Sequence, residues 1–167
     1  DSQGLETAEE LKAKFENYGV VTLHRPSNVD DEHTFRGIIG ALVEISKELP
    51  LIFPIHPRTR SRMDSFGITL PPEILATKPL GYREFLEVWR HSKLVLTDSG
   101  GLQEETTGLG IPCLTLRENT ERPVTVDEGS NVLVGVDPVR IISEANRIIS
   151  QALIEGEAAR PLLWDGH

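Results

Sequence analysis

Residues that can carry chemistry follow the apolar, strand-like segments of this chain. His24 and Arg25 come directly after the first such segment, His56 ends the second, and Asp98 and Ser99 follow a later one. A histidine exchanges a proton near neutral pH, whereas an arginine supplies a fixed charge and hydrogen-bond donors. Ligands of parallel sheets bind beyond the carboxyl ends of the strands. We therefore expect these side chains to form a site at one edge of a sheet.

The segment Ser99-Gly100-Gly101 joins a predicted strand to a predicted helix. Ser99 is placed to cap the helix, and the two glycines leave the backbone N–H groups of the first turn open. Such N–H groups, together with the positive end of the helix dipole, attract phosphate, and the pocket would suit a diphosphate. A turn that uses serine and glycine for geometry alone is an equal alternative.

Glu105 lies six residues beyond Ser99, which corresponds to about 9 Å along a helix. Its carboxylate would accept hydrogen bonds from two neighbouring hydroxyls of the same ligand, as on a ribose. A solvated surface glutamate is the alternative, since most charged residues are exposed. For His24 and His56 the alternative is a histidine satisfied by backbone contacts, although the repeat of the pattern after two strands weakens it.

Further arginines lie in the loop after the fifth predicted strand. Arg117 and Arg122 would hold phosphate oxygens or brace a carboxylate, or else stay solvated. No pair of histidine, cysteine or carboxylate residues has the spacing of a zinc site, so we predict no metal.

Composition narrows the class of protein. The chain has 167 residues, which fits one domain, and a formal net charge of -9, which disfavours nucleic acids and anionic membranes as partners. Its single cysteine, Cys113, excludes an internal disulfide and favours the reducing cytoplasm. No apolar run approaches the roughly 18 residues of a membrane span. The first residue is Asp1, which suggests a mature product or a piece of a longer protein.

Short apolar segments alternate with amphipathic ones along the chain. This pattern predicts a parallel sheet covered on both faces, a Rossmann-like three-layer αβα fold with six strands. The predicted strands are residues 19–24, 51–56, 73–77, 93–97, 112–116 and 131–135. Helices are predicted at residues 7–17, from the Asp31 cap to about Pro50, within 57–67 and at 82–91, and a polar loop is predicted at 25–31.

Four separated motifs of the chain resemble the non-hydrolysing UDP-N-acetylglucosamine 2-epimerases. In order, they are Thr22–Asn28, Pro54–Pro57, Thr97–Glu105 and Arg117–Pro123. The resemblance implies that residues 1–167 are the carboxyl-terminal, UDP-binding domain of a glycosyltransferase-B-type two-domain enzyme. It also implies that the amino-terminal domain is absent, that the chain starts in the interdomain connection and that it stops before the family's final helix.

The resemblance further implies which residues contact the nucleotide. Ser99, Gly100 and Gly101 would receive the diphosphate, and Glu105 the ribose hydroxyls. Arg122 would stabilise phosphate or its surroundings.

The remaining implied roles concern the base and the sugar. Phe85 would lie against uracil, and His24 would assist the departure of UDP. Arg25 and His56 match positions near the substrate or near a second, regulatory UDP-sugar site. Two departures from the family's usual motifs are Ser27, where a glutamate is common, and Arg58, where an asparagine is usual.

The implied reaction interconverts UDP-N-acetylglucosamine (UDP-GlcNAc) and UDP-N-acetylmannosamine (UDP-ManNAc) by elimination and re-addition of UDP, without an external redox cofactor. The whole enzyme is expected to be a cytoplasmic homodimer, and the isolated chain to be inactive. A hydrolysing epimerase, a glycosyltransferase of the same architecture and a non-catalytic nucleotide-sugar sensor are the alternatives.

Overall fold

The computed structural model describes residues 17–98, 102, 105–106, 110–117 and 131–165, and only the backbone of residues 131 and 152–165. Apart from its last residue, the predicted helix at 7–17 lies outside these ranges. Elements in chain order are β1 (Gly19–Thr22), α1 (Pro26–Val29), α2 (Glu32–Ser46), β2 (Leu51–Pro54), α3 (Pro57–Phe66), β3 (Ile74–Thr77), α4 (Tyr82–Arg90), β4 (Leu94–Thr97), β5 (Cys113–Thr115), β6 (Asn131–Leu133) and α5 (Pro138–Asp165).

The six strands form one sheet in the order β3-β2-β1-β4-β5-β6, and every neighbouring pair is parallel. The chain thus builds outward from β1 to β3, crosses back to lay β4 beside β1, and builds outward again to β6. Pairing of Thr22 with Thr97 brings the carboxyl ends of β1 and β4 level. The predicted six-stranded parallel sheet is confirmed, and its topological switch point lies between these two strands.

Both faces of the sheet are buried, which is why the strands are apolar along their length. One face packs against α2 and α5 through residues such as Phe35, Leu42 and Ile141. The other packs against α4 through Val88 and Trp89. Within the described ranges, no helix has the length and hydropathy needed to cross a membrane.

Local signals in the sequence explain where several helices begin and end. The Asp31 carboxylate accepts a hydrogen bond from the Thr34 N–H at 2.8 Å and caps α2, as predicted. Gly67 ends α3 in the left-handed conformation, with φ of 65°, and its N–H donates to carbonyls of the last turn.

The structure differs from the sequence-based prediction in three respects. Residues 25–31, predicted as a loop, contain the short helix α1, which begins at Pro26 because a proline fits the first helical turn. Strands β1 and β2 end before His24 and His56, so both histidines lie in loops. The long helix α5 was not predicted at all.

A substitution in the central strand β4 tests the fold directly. Replacement of Leu96 by alanine is expected to lower the free energy of unfolding by about 2–5 kcal/mol, because this fully buried side chain of β4 would leave a cavity. Val139→Ala is the control, since Val139 is 74% exposed and its truncation should change stability by less than about 0.5 kcal/mol. Urea unfolding measures both, and equal losses would contradict the burial of β4.

Candidate functional site

The buried carboxylate of Asp98 lies at the switch point, directly after β4, and is 1% exposed. Its Oδ2 accepts hydrogen bonds from the backbone N–H groups of His24 at 3.1 Å and Arg25 at 3.0 Å. The same oxygen accepts a hydrogen bond from Nδ2 of Asn28 at 3.1 Å. A buried charge is tolerated only when it is hydrogen-bonded in this way. Asp98 therefore holds the loop after β1 against the end of β4.

The other oxygen of Asp98 faces the imidazole of His24. Nδ1 of His24 lies 3.1 Å from Oδ1, and the histidine side chain is 49% exposed. Since a carboxylate only accepts hydrogen bonds, Nδ1 must carry the proton. Nε2 is thus the nitrogen of His24 that can exchange a proton with a ligand.

This contact shifts the pKa of both partners. The hydrogen bond to Asp98 raises the pKa of His24 above its ordinary 6.5, against the opposing effects of burial and of Arg25. Burial by itself would raise the pKa of Asp98, but the hydrogen bonds from His24 and from the Arg25 N–H outweigh it, and the pKa is lowered. The pair therefore favours an imidazolium beside a carboxylate, which suits His24 to donate a proton.

Asn28 extends this arrangement to the neighbouring strand. Besides its bond to Asp98, its Nδ2 donates to the carbonyl oxygen of Leu116 at 3.0 Å, and the residue is 4% exposed. The hydroxyl oxygens of Thr22 and Thr97 lie 2.6 Å apart on the paired strands below. The ends of β1, β4 and β5 are thus joined by side-chain hydrogen bonds.

His56 lies near His24, with their ring centroids 6.4 Å apart. Nδ1 of His56 accepts a hydrogen bond from the Arg58 N–H at 3.1 Å and caps α3, so its Nε2 carries the proton. The side chains of Arg58 and Arg62 both contact Asp30, at 2.5 and 2.9 Å. Arg58, a departure from the usual motif, thus helps join α3 to the residue that follows α1.

A second group of predicted site residues lies on and beside α4. Phe85 is half-buried and packs against the cluster around Trp89. Glu105 is helical and half-buried, and its Oε2 lies 3.2 Å from the hydroxyl of Tyr82. Tyr82 therefore connects Glu105 to the first turn of the helix that carries Phe85.

A cavity lies beside Arg25 and Asn28, two of the residues that donate hydrogen bonds to Asp98. It has a volume of about 290 Å³, and its lining includes Arg25, Ser27, Asn28 and Arg117. Arginine, serine, threonine and asparagine residues are among its lining, and the described part of that lining includes no acidic residue. The described residues include no group of three or more histidine, cysteine or carboxylate side chains that could hold a metal ion.

The structure brings together some predicted site residues and leaves others untested. His24, Arg25 and His56 meet at one edge of the sheet, as expected from their positions after β1 and β2. Four further predicted residues lie outside the described part of the chain; they are Ser99, Gly100, Gly101 and Arg122.

Three contacts at the site were not predicted from the sequence. Asp98 was placed among the polar residues that follow the strands, but neither its contact with His24 nor its contact with Asn28, 70 residues away, was predicted. Tyr82 was given no role, and it lies 23 residues from its partner Glu105. The signal that the sequence does carry is a carboxylate at the very end of a continuously apolar strand, because such a group must find donors nearby.

Comparisons with known proteins place the chain in a family of epimerases. The profile of the UDP-N-acetylglucosamine 2-epimerase family matches residues 2–167. A curated enzyme of that name from Methanococcus maripaludis is 44% identical over 142 residues, which cover 81% of this chain and 39% of that protein. The crystal structure of the Methanocaldococcus jannaschii UDP-GlcNAc 2-epimerase in complex with UDP-GlcNAc and UDP matches with a TM-score of 0.76 and 40% identity, covering 88% of this chain and 44% of the other.

A third relative carries a different name. The UDP-2,3-diacetamido-2,3-dideoxy-D-glucuronate 2-epimerase of Pseudomonas aeruginosa is 38% identical over 142 residues, which cover 84% of this chain and 40% of that enzyme. The chain thus spans about 40% of the length of the curated relatives it matches.

The contact between His24 and Asp98 predicts a pH-dependent stability. Because the pKa of His24 is raised in the fold, its protonation stabilises the protein fully below the ordinary value of 6.5, and this stability is lost as the pH rises through the raised pKa. His24→Asn keeps a neutral donor but cannot be protonated. The wild-type chain should exceed H24N in unfolding free energy at a pH below 6.5 and lose that advantage as the pH rises through the raised pKa of His24.

Urea unfolding across this pH range makes the measurement. His33→Asn is the control, since it removes an exposed imidazole from the first turn of α2 and should show a smaller pH dependence. An advantage of the wild type that grows with rising pH would contradict the pairing.

Proposed function

Because the chain belongs to the UDP-N-acetylglucosamine 2-epimerase family, we propose that residues 1–167 form the carboxyl-terminal, UDP-binding domain of an enzyme that interconverts UDP-GlcNAc and UDP-ManNAc. The observation that carries the proposal is the pair of His24 and Asp98 at the switch point of the sheet. Asp98 immediately precedes the Ser99-Gly100-Gly101 segment, so a diphosphate bound to that segment would lie near the proton of His24.

The nucleotide is proposed to lie across the ends of β1 and β4. Ser99, Gly100 and Gly101 receive the diphosphate, and Arg122 contributes positive charge. The proposal is supported by the position of Asp98 and by the rule that ligands bind at topological switch points. A relative 40% identical to this chain has been solved in complex with UDP-GlcNAc and UDP.

The uridine is proposed to bind beside α4. Phe85 lies against the base, and Glu105 accepts hydrogen bonds from the ribose hydroxyls. Support comes from the helical placement of Glu105 and from its contact with the first turn of α4. An aromatic ring and a carboxylate would then contact the base and the sugar of one nucleoside.

His24 is proposed to assist the departure of UDP. During elimination, a base in the amino-terminal domain removes the proton at C2 of the sugar, and the bond between C1 and the phosphate oxygen breaks. The electrons of that bond remain on UDP, where a protonated His24 stabilises the new charge. Re-addition of UDP to the resulting 2-acetamidoglucal, with protonation of C2 from the opposite face, gives the epimer.

Arg25 and His56 are proposed to contact the sugar or a second UDP-sugar, since both lie beside His24. We also propose that the whole enzyme is non-hydrolysing, that it forms a homodimer and that it is located in the cytoplasm. A UDP-2,3-diacetamido-2,3-dideoxyglucuronate is the second candidate substrate, favoured by 38% identity to the Pseudomonas aeruginosa enzyme.

Binding of UDP tests the nucleotide site on this chain alone. We expect heat from UDP at millimolar concentration in titration calorimetry, and an affinity about tenfold lower for Glu105→Gln, because hydrogen bonds to a charged carboxylate are stronger than those to an amide. Glu48→Gln makes the same chemical change beyond the end of α2, at the opposite edge of the sheet, and should leave binding unchanged. Absence of binding to the wild type would count against the site.

Activity tests the reaction itself. The isolated chain should not convert UDP-GlcNAc, because the base belongs to the proposed amino-terminal domain. The whole enzyme should form UDP-ManNAc without an acceptor, and H24N should lower its kcat by about 10²-fold or more. Proton NMR of the products measures both results. Free ManNAc with UDP would indicate a hydrolysing enzyme instead, and an unchanged kcat for H24N would exclude the role of His24.

A further inference from the structure

We propose that Tyr82 is a positioning residue for nucleoside recognition, which holds the Glu105 carboxylate in the orientation that binds the two ribose hydroxyls. The inference rests on the proposed function, because it concerns the same uridine site. It adds a residue that lies 23 positions from its partner and that neither motif nor spacing singles out.

The contact itself is direct. The Tyr82 hydroxyl oxygen lies 3.2 Å from Oε2 of Glu105, within hydrogen-bond distance. The bond keeps the proton on the phenol, because the acceptor Glu105 raises the pKa of Tyr82 above its ordinary 10.0. Tyr82 is therefore a donor throughout the neutral range, and Glu105 is the acceptor.

The fold places this contact at the edge where ligands bind. Helix α4 follows the carboxyl end of β3 and leads back to the start of β4, so its first turn lies at the carboxyl edge of the sheet. Tyr82 opens that first turn and is 69% exposed. Phe85 comes three residues later, on the same side of the helix, and packs against the core. The phenol is thus carried on a helix that the core holds in place.

The chemistry of the carboxylate explains what the phenol contributes. A glutamate carboxylate has about four acceptor positions, and Tyr82 occupies one of them on Oε2. The remaining positions can accept hydrogen bonds from two adjacent hydroxyls. A half-exposed glutamate without a second contact would sample several rotamers, and ordering it would weaken ligand binding. The hydrogen bond from Tyr82 restricts the rotamers of Glu105 before the ligand binds.

A direct contact of the Tyr82 ring with the base would also affect binding, but it would act without Glu105. The two possibilities differ in which ligand group they affect. Positioning through Glu105 strengthens only the recognition of ribose hydroxyls, whereas ring contact strengthens binding of any uridine nucleotide. Comparison of UDP with 2′-deoxy-UDP separates them.

The experiment measures the affinities of UDP and 2′-deoxy-UDP by titration calorimetry for the wild-type chain, Y82F, E105Q and the double variant Y82F/E105Q. We expect the wild type to prefer UDP by about tenfold and Y82F by about threefold or less. Y82F should lower the affinity for 2′-deoxy-UDP less than the affinity for UDP, because 2′-deoxy-UDP keeps only the 3′-hydroxyl for Glu105 to bind. E105Q should lose most of the preference, and the double variant should match E105Q, because Tyr82 acts through Glu105.

Two controls distinguish a change in ligand binding from a change in folding stability. Arg90→Gln, an exposed change at the far end of α4, should leave the preference unchanged. Y82F should keep the unfolding midpoint of the wild type, since Tyr82 is largely exposed.

Each outcome decides the inference. An unchanged preference in Y82F, an equal loss for both nucleotides, or tighter binding of UDP would overturn the role of Tyr82 while leaving the uridine site intact. A wild type that binds neither nucleotide would overturn both the inference and the proposed site.

Discussion

The buried carboxylate of Asp98 is the constraint on which the site depends. A charge removed from water must be met by donors, and here the donors come from the loop after β1. Satisfying this one group fixes the backbone of that loop and the tautomer of His24. The requirements of folding and of the proposed reaction are therefore met by the same contacts.

The order of the strands determines where in the sheet the contacts of Asp98 lie. Because the chain builds the sheet in both directions from the pair β1 and β4, the topological switch point lies between these two strands, which is where ligands of such sheets bind. Helix α1 begins directly within the loop after β1, and α4 brings its first turn to the same edge. Residues for proton transfer and for nucleoside recognition thus reach one edge from separate parts of the sequence.

Much of the fold could be predicted from the sequence, because parallel strands buried on both faces are apolar throughout, and helices between them show a repeating apolar face. The ends of the strands were less predictable. Leu23 is buried although it follows the last residue of β1, so an apolar run does not mark where strand pairing stops. The positions of His24 and His56 directly after strands could be predicted, because the apolar strands themselves could. The specific contact between His24 and Asp98 could not be predicted, although both residues were expected at one edge of the sheet, because they are more than 70 positions apart and no local pattern records which side chains bind each other.

The position of Cys113 has a consequence for how the protein can be followed in solution. This cysteine begins β5, is fully buried, and burial raises its pKa to about 11. Thiol reagents attack the thiolate, so the folded chain should resist alkylation at neutral pH. Since the chain has no other cysteine, any labelling reports separation of β5 from its neighbours. Alkylation of Cys113 therefore measures local opening in the interior of the sheet.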